Sequence, residues 1–147
     1  MCGRMSGKRP EDQLAHDQQL DEMAPRKRIL VVDDHPDSAD ALVAMLGMMG
    51  HQTMAITDSR EAIRSAKRFN PDLALLDLNM PHLSGLELAQ MFRDDEQLRS
   101  VCLIALTAYG DENYRRLTRS AGFDAHVVKP ADPPLLQSII QQFDAQE

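Results

Sequence analysis

The chain has 147 residues, of which 43% are hydrophobic and only 4% are aromatic, so we expect one domain with an aliphatic core. Its 16 basic and 23 acidic residues give a net charge of −7, which argues against direct nucleic-acid binding because that function usually shows a basic stripe. Neither a disulfide framework, a signal peptide nor a membrane-length apolar run is evident, and we therefore expect a cytoplasmic protein with reduced thiols and no membrane insertion.

The N-terminal segment differs in composition from the rest of the chain. Residues 1–25 are polar, carry mixed charge and contain Pro10 and Pro25. Such a segment cannot bury enough apolar surface to fold by itself. We predict a disordered polar tail over residues 1–25 and one domain over residues 26–147.

Short apolar runs then alternate with segments of helical spacing. The runs lie at residues 29–32, 52–56, 73–76, 101–106 and 125–128, and continuous apolar runs of this length are typical of strands buried on both faces. Gly50 provides a stop signal for the first helix, and Asp58 can cap the second. The apolar stripes predicted to face the core are Ala39, Leu42, Leu46 and Met49; Ala62, Ile63, Ala66 and Phe69; Leu88, Met91 and Phe92; Leu117 and Ala121; and Leu135, Leu136, Ile139, Ile140 and Phe143.

Five alternations of strand and helix predict an α/β fold, a doubly wound five-stranded parallel sheet with helices on both faces. The carboxyl ends of parallel strands meet at one edge, where ligands bind. At that edge the sequence places the acidic pair Asp33 and Asp34 after the first run, Asp77 after the third, Thr107 after the fourth and Lys129 after the fifth.

These strand-end residues predict phosphoryl chemistry. Three neighbouring carboxylates repel one another and need a cation or a shared proton, and an oxygen-rich site of this kind suits Mg²⁺. Asp77 acting as a nucleophile would form an acyl phosphate. Lys129 would supply a positive charge to a phosphoryl oxygen, and Thr107 would supply a hydroxyl donor.

Four segments resemble response-regulator receiver domains of two-component signal transduction, in particular single-domain regulators of the chemotaxis type. They are residues 29–34 (ILVVDD), residues 75–81 (LLDLNMP) followed by Gly85, residues 105–108 (ALTA) and residues 127–130 (VVKP). The resemblance covers the chain from Arg28 to about Phe143. It implies a flavodoxin-like sheet with strand order 2-1-3-4-5, in agreement with the predicted alternation.

The resemblance also implies roles for individual residues. Asp33, Asp34 and Asp77 would hold Mg²⁺ or Mn²⁺ together with the backbone carbonyl of Asn79. Asp77 would take a phosphoryl group from a sensor histidine kinase, a histidine phosphotransfer protein or a small phosphodonor. The resemblance further implies a cis peptide bond between Lys129 and the proline that follows it.

Thr107 and His126 occupy the positions of the family's switch pair. His126 stands where the family usually has an aromatic residue, three positions before Lys129. Phosphorylation would pull Thr107 inward and shift the neighbouring loop and helix.

The resemblance implies a signalling domain that catalyses only its own phosphorylation and dephosphorylation. We expect a single-domain regulator that contacts a downstream target protein through the face of its fourth helix, fifth strand and fifth helix. The sequence does not decide whether the protein forms a homodimer. It also does not decide between a single-domain regulator, a phosphate relay and the receiver domain of a hybrid kinase.

Three other functions remain as alternatives. A haloacid-dehalogenase-like phosphatase would need an Asp-x-Asp motif after the first strand, where the chain has Asp33-Asp34-His35. An FMN carrier of the same fold would need a phosphate-binding loop there, which the carboxylates of this segment would repel. A phosphorylation-independent interaction module is the third alternative.

The remaining polar and sulfur-containing residues predict no second site. The scattered His16, His35, His51 and His82 are expected at the surface. Met45, Met48 and Met49 are expected to fill gaps in the core, and Cys102 is expected to be an inert buried thiol.

Overall fold

The computed structural model describes residues 26–110 and 112–145, so the predicted disordered tail over residues 1–25 lies outside the described residues. Five strands alternate with five α-helices along the chain. The strands are β1 (Arg28–Val32), β2 (Gln52–Ile56), β3 (Leu73–Asp77), β4 (Cys102–Thr107) and β5 (Ala125–Val128). The helices are α1 (Pro36–Met48), α2 (Ala62–Phe69), α3 (Gly85–Asp94), α4 (Glu112–Ala121) and α5 (Pro133–Ala145), and a 3₁₀ turn at Ser59–Glu61 precedes α2.

All five strands are parallel and form one sheet in the order β2-β1-β3-β4-β5, which confirms the predicted topology. In the register of the sheet, Val32 of β1 lies opposite Ile56 of β2 and Leu76 of β3. The strand order reverses between β1 and β3, where adjacent connections leave toward opposite faces and open a crevice. The strand ends that border this crevice carry Asp33 and Asp77.

Helices cover both faces of the sheet, and alternate residues of each strand enter different cores. Leu30 and Val32 of β1 pack in one core with side chains of α2 and α3, such as Phe92. Ile29 and Val31 pack in the other core with side chains of α1 and α5. Because the three central strands β1, β3 and β4 are buried on both faces, their sequences are nearly continuous apolar runs, whereas the edge strands β2 and β5 are only partly buried.

The third and fourth strands end later than the apolar runs. β3 extends to Asp77, which lies opposite Leu106 of β4, and β4 begins at Cys102 and extends to Thr107. Val101 instead belongs to a turn, where its N–H donates to Leu98. Asp77 and Thr107 are therefore the last ladder residues of their strands, which ties their backbones to the sheet.

Several side chains predicted for the core are exposed. Met48 is 88% exposed, Leu117 is 50% exposed and Leu135 is 47% exposed, so these side chains lie on the solvent side of their helices. Met91 is also exposed, at 41%.

Two further predictions need correction. His51 is buried, not exposed, and its Nδ1 accepts a hydrogen bond from the backbone N–H of Lys27. Asp58 caps the 3₁₀ turn that leads into α2, through a bond from the N–H of Arg60, rather than α2 itself.

Cys102 is partly buried, and burial together with the nearby Asp124 raises the pKa of its thiol to about 12. This agrees with the expectation of an inert thiol. Among the helices that the structure describes, none combines the length and the apolar character that a membrane span requires.

Candidate functional site

The sheet brings the predicted site residues together at the carboxyl ends of its strands. Asp33 directly follows β1, Asp77 ends β3, Thr107 ends β4 and Lys129 directly follows β5. Asp33 and Thr107 are fully buried, and Asp77 is 3% exposed. Two buried carboxylates at the same edge repel each other, and a nearby positive charge would stabilise them.

Lys129 provides this positive charge. Its Nζ lies 2.8 Å from Oδ2 of Asp77 and 3.5 Å from Oδ2 of Asp33. The other oxygen of each carboxylate accepts a backbone hydrogen bond from the second residue after it, His35 N at 3.0 Å for Asp33 and Asn79 N at 3.1 Å for Asp77. Each carboxylate is thus fixed by a local turn on one oxygen and approached by Lys129 on the other.

The electrostatics of the pair follow from burial and mutual contact. Burial raises the pKa of Asp77, the hydrogen bonds from Lys129 and Asn79 partly offset this effect, and the charge of Asp33 adds to it. Burial also disfavours the charged form of Lys129, but its contacts with Asp77 and Asp33 outweigh burial and raise its pKa. Lys129 therefore remains an ammonium ion at neutral pH beside two carboxylates.

Asp34 completes the acidic cluster. Its Oδ1 is buried, and no donor in the described part of the chain makes a hydrogen bond to it, although His35 Nδ1 lies 3.4 Å away. One oxygen each of Asp33, Asp34 and Asp77 lies within 4.8 Å of the others. A buried carboxylate oxygen without a hydrogen bond, in a cluster of oxygen donors, fits a hard divalent cation such as Mg²⁺ or Mn²⁺.

Asn79 follows β3 at the mouth of this cluster. Its N–H holds Oδ1 of Asp77, and its own side chain is exposed. The role of its backbone carbonyl as a metal ligand stays a prediction.

Gly85 brings the N-terminus of α3 against the backbone of the site. A Cβ at this position would overlap the carbonyl oxygen of Asp77 and would lie 2.9 Å from Cα of Leu78. Ser84 and Glu87 form a capping box that defines the start of the helix. The close approach explains why the phosphoacceptor-like segment is followed by glycine.

Ser59 braces the loop between Asp77 and α3, a role that the sequence analysis missed. Its buried hydroxyl donates to the carbonyl of Pro81 at 2.9 Å and accepts from the N–H of Leu83 at 3.1 Å. The bonded residues are 22 and 24 positions apart in sequence. No local pattern could reveal this contact, because it forms only when β2 and β3 are placed in the sheet.

Thr107 and His126 are linked through Tyr109. The N–H of Tyr109 donates to Oγ1 of Thr107 at 3.0 Å, and Nε2 of His126 lies 3.1 Å from the carbonyl oxygen of Tyr109. A carbonyl can only accept, so Nε2 carries the proton of this bond. The structure thus brings the two predicted switch residues into contact with the same loop, the segment between β4 and α4.

The ring of His126 lies beside a cavity of about 210 Å³ between α4 and β5. Burial lowers the pKa of His126, the bond to Tyr109 raises it, and the positive charge of Arg115 lowers it further, with a net decrease. The neutral ring is therefore favoured at physiological pH. The peptide bond between Lys129 and Pro130 is cis, as the resemblance implied.

Comparison with known proteins identifies the family of this chain. A family model described as the response regulator receiver domain matches residues 29–141. The polar-differentiation response regulator DivK of Brucella ovis is 29% identical over 117 residues, which cover 80% of this chain and 95% of DivK.

The fold of the chain is also similar to solved structures of receiver domains. The chemotaxis protein CheY4 of Vibrio cholerae is 25% identical, with a TM-score of 0.74 over 78% of this chain and 96% of that one. The receiver domain of a sensor histidine kinase from Pseudomonas aeruginosa PAO1 is 34% identical, with a TM-score of 0.72 over 79% of this chain and 95% of that one. That domain was solved with a magnesium ion coordinated in its active site cleft. With the matched segment spanning most of the sequence, the chain belongs to the family of response regulator receiver domains of two-component signalling.

Proposed function

We propose that Asp77 is the phosphoacceptor of this receiver domain and that Lys129, Thr107 and a divalent metal ion assist the transfer. The contact between Lys129 Nζ and Asp77 Oδ2 carries the proposal, because it places a fixed positive charge beside a buried carboxylate at the crevice of the sheet. Asp33, Asp34, Asp77 and the carbonyl of Asn79 would hold Mg²⁺ or Mn²⁺. When bound, the metal would neutralise charge on the incoming phosphoryl group.

The transfer is a substitution at phosphorus. A carboxylate oxygen of Asp77 attacks the phosphorus, and the bond from phosphorus to the donor breaks as the new oxygen–phosphorus bond forms. The electron pair of the broken bond leaves with the donor, an imidazole nitrogen of a phosphohistidine or an oxygen of a small acyl phosphate. Lys129 then pairs with a phosphoryl oxygen in place of the Asp77 carboxylate.

Thr107 and His126 would convert the modification into a change of surface. The hydroxyl of Thr107 would turn toward a phosphoryl oxygen and leave the N–H of Tyr109. The loop after β4, which His126 holds through the carbonyl of Tyr109, would then change position. The chemical change at the buried site would so reach exposed side chains of α4, β5 and α5.

The partners follow from this function. The phosphoryl donor would be a sensor histidine kinase or a histidine phosphotransfer protein. A downstream protein would bind the surface of α4, β5 and α5, on which Leu117, Val128 and Leu135 are all at least 40% exposed. Exposed apolar side chains grouped on one face are typical of protein-binding surfaces. In this proposal the domain acts in the cytoplasm and catalyses only its own phosphorylation and dephosphorylation.

The direct test is modification by acetyl phosphate in the presence of Mg²⁺, followed by measurement of the intact mass. We expect a gain of one phosphoryl group, about 80 Da, in the native protein. Asp77→Asn should not gain it, and EDTA should prevent it. Asp94→Asn, which removes an exposed carboxylate of α3, is the matched control and should be modified like the native protein.

If acetyl phosphate and a panel of histidine kinases all fail to modify the native protein, the phosphoacceptor proposal is wrong. The domain would then act as a phosphorylation-independent interaction module. A shift that persists in Asp77→Asn would place the modification on another residue and would also contradict the proposal.

A further inference from the structure

One nitrogen donor lies among the oxygen donors of the acidic cluster. Nδ1 of His35 lies 3.4 Å from Oδ1 of Asp34 and 3.6 Å from Oδ1 of Asp33. Within the described residues, one ring nitrogen of His35 and one oxygen each of Asp33, Asp34 and Asp77 all lie within 4.8 Å of one another. The sequence predicts His35 at the surface, and its side chain is exposed. Its ring nevertheless lies beside the carboxylates of Asp33 and Asp34.

The backbone holds His35 in this place. It is the residue before α1, with extended φ and ψ angles of −93° and 111°, and its N–H is bonded to Asp33. Its side chain is 71% exposed, so the ring can adjust its orientation without disturbing the core. The imidazole is therefore positioned by the same turn that orients the carboxylate of Asp33.

The separations between these atoms are close to those of two ligands on one ion. Metal–ligand bonds of about 2.1 Å put neighbouring ligands about 3.0 Å apart in an octahedral site and about 3.4 Å apart in a tetrahedral one. Oδ1 of Asp34, the atom nearest to His35 in this group, is also the buried oxygen that accepts no hydrogen bond from the described residues. Both atoms are thus available to the same cation.

We propose that His35 supplies an imidazole nitrogen to a first-row transition-metal ion at the acidic cluster, so that the site takes ions such as Mn²⁺ and Co²⁺ with a ligand that Mg²⁺ does not use. This inference rests on the proposed metal site and extends it by one ligand. Mg²⁺ prefers oxygen ligands, whereas imidazole raises the affinity for transition ions in the order of Irving and Williams. The identity of the bound metal would then depend on a side chain outside the three carboxylates.

The alternative is that the imidazole only pairs with the two carboxylates and contacts no metal. Pulsed EPR of Mn²⁺ bound to the full chain separates the two cases, because a strong isotropic coupling to a nitrogen nucleus requires that nitrogen to be bound to the ion. We expect this coupling in the native protein, its replacement by a ¹⁵N pattern in ¹⁵N-labelled protein, and its loss in His35→Ser. Serine is a favoured residue before a helix, so this variant retains a good start for α1.

Calorimetric titration provides a second measurement. We expect His35→Ser to weaken Co²⁺ binding about tenfold, and at least about fivefold more than it weakens Mg²⁺ binding. His82→Ser is the matched control. His82 lines a separate cavity that also includes Asp34, but it does not belong to the group of donors around Asp77.

The outcomes distinguish this inference from the proposed function. Nitrogen coupling that is absent from the native protein, or that survives in His35→Ser and disappears in His82→Ser, overturns the role of His35. Equal loss of Co²⁺ and Mg²⁺ affinity in His35→Ser overturns it as well. The Mg²⁺-dependent mass shift of the native protein reports on Asp77 separately, so phosphorylation can succeed while the assignment of His35 fails.

Discussion

Nζ of Lys129 lies 2.8 Å from Oδ2 of Asp77, although the two residues are 52 positions apart in the sequence. The parallel sheet produces this contact, because β3 and β5 both end at the same edge of the sheet and only β4 lies between them. Burial alone would raise the pKa of Asp77, and the ammonium group opposes that effect. The net effect is still a raised pKa of Asp77, so Lys129 reduces the tendency of this buried carboxyl group to take up a proton without cancelling it.

Replacing Lys129 should slow phosphorylation strongly. Lys129→Met removes the charge that would stabilise a phosphoryl oxygen and leaves Asp77 beside Asp33 without its cation. We expect the initial rate of modification by acetyl phosphate to fall about a hundredfold, the magnitude typical for loss of one preorganised donor. The rate is measured by intact mass at fixed Mg²⁺ concentration.

The matched control for this change is Lys67→Met. Lys67 lies on α2, and its Nζ is 3.0 Å from Oδ2 of Asp95, so it belongs to an ion pair separate from that of Lys129. Its rate should equal that of the native protein. A rate for Lys129→Met within twofold of the native rate would contradict the assigned role of Lys129.

Mg²⁺ should stabilise the folded chain through Asp34. A ligand that binds only the folded state at a hundredfold excess over its Kd adds about 2.7 kcal/mol to the free energy of unfolding. We expect thermal unfolding to show an increase in Tm with Mg²⁺ in the native protein and a much smaller increase in Asp34→Asn. Asp40→Asn, which neutralises an exposed carboxylate on α1, should retain the native response. An unchanged response in Asp34→Asn would exclude Asp34 from the metal site.

Gly85 and Gly47 should respond in opposite directions to the same substitution. Gly85→Ala would force a Cβ against the backbone of Asp77, and overpacking of this kind costs about 1–3 kcal/mol. At Gly47, within α1, an added Cβ would meet no atom of the described residues within 4 Å. Gly47→Ala should therefore add about 0.5–1 kcal/mol by reducing the entropy lost on helix formation. Urea unfolding of both variants measures the difference, and similar effects at the two positions would contradict the close approach at Gly85.

His126 should make the folded state less stable as the pH falls below neutral. Its pKa in the folded protein lies below the ordinary 6.5, so between the two values the unfolded chain binds more protons. The stability contributed by the neutral ring is thus complete above pH 6.5 and decreases as the pH falls toward the lowered value. The charged residues that line the cavity beside His126 are Arg115, Arg119 and Asp124, and the charge of Arg115 opposes a further positive charge on the ring.

NMR titration of the ring protons of His126 tests this directly, and we expect a midpoint below 6.5. Comparing urea unfolding at neutral and mildly acidic pH gives a second test, with His126→Phe as the reference. The native protein should lose more stability on acidification than this variant, because other titrating groups are common to both. A midpoint at or above 6.5 would show that the ring is not held neutral by its surroundings.

Much of the site could be predicted from the sequence. Asp33, Asp77, Thr107 and Lys129 each stand where a buried apolar run ends, and parallel strands bring such positions to one edge whatever their separation along the chain. The strand order followed from the alternation of strands and helices together with the family resemblance. These properties depend on periodicity and chain direction, which the residues themselves specify.

Other properties required the tertiary structure. The brace of Ser59 on the loop after β3, the bond from His126 to Tyr109 and the approach of His35 to the carboxylates all join groups whose positions depend on side-chain orientation. The exposure of Leu117 and the burial of His51 likewise depend on how far each helix and loop covers the sheet. The order of residues along the chain determined which groups reach the crevice, whereas packing in three dimensions decided which atoms face one another, because distances between distant segments are set by the whole fold.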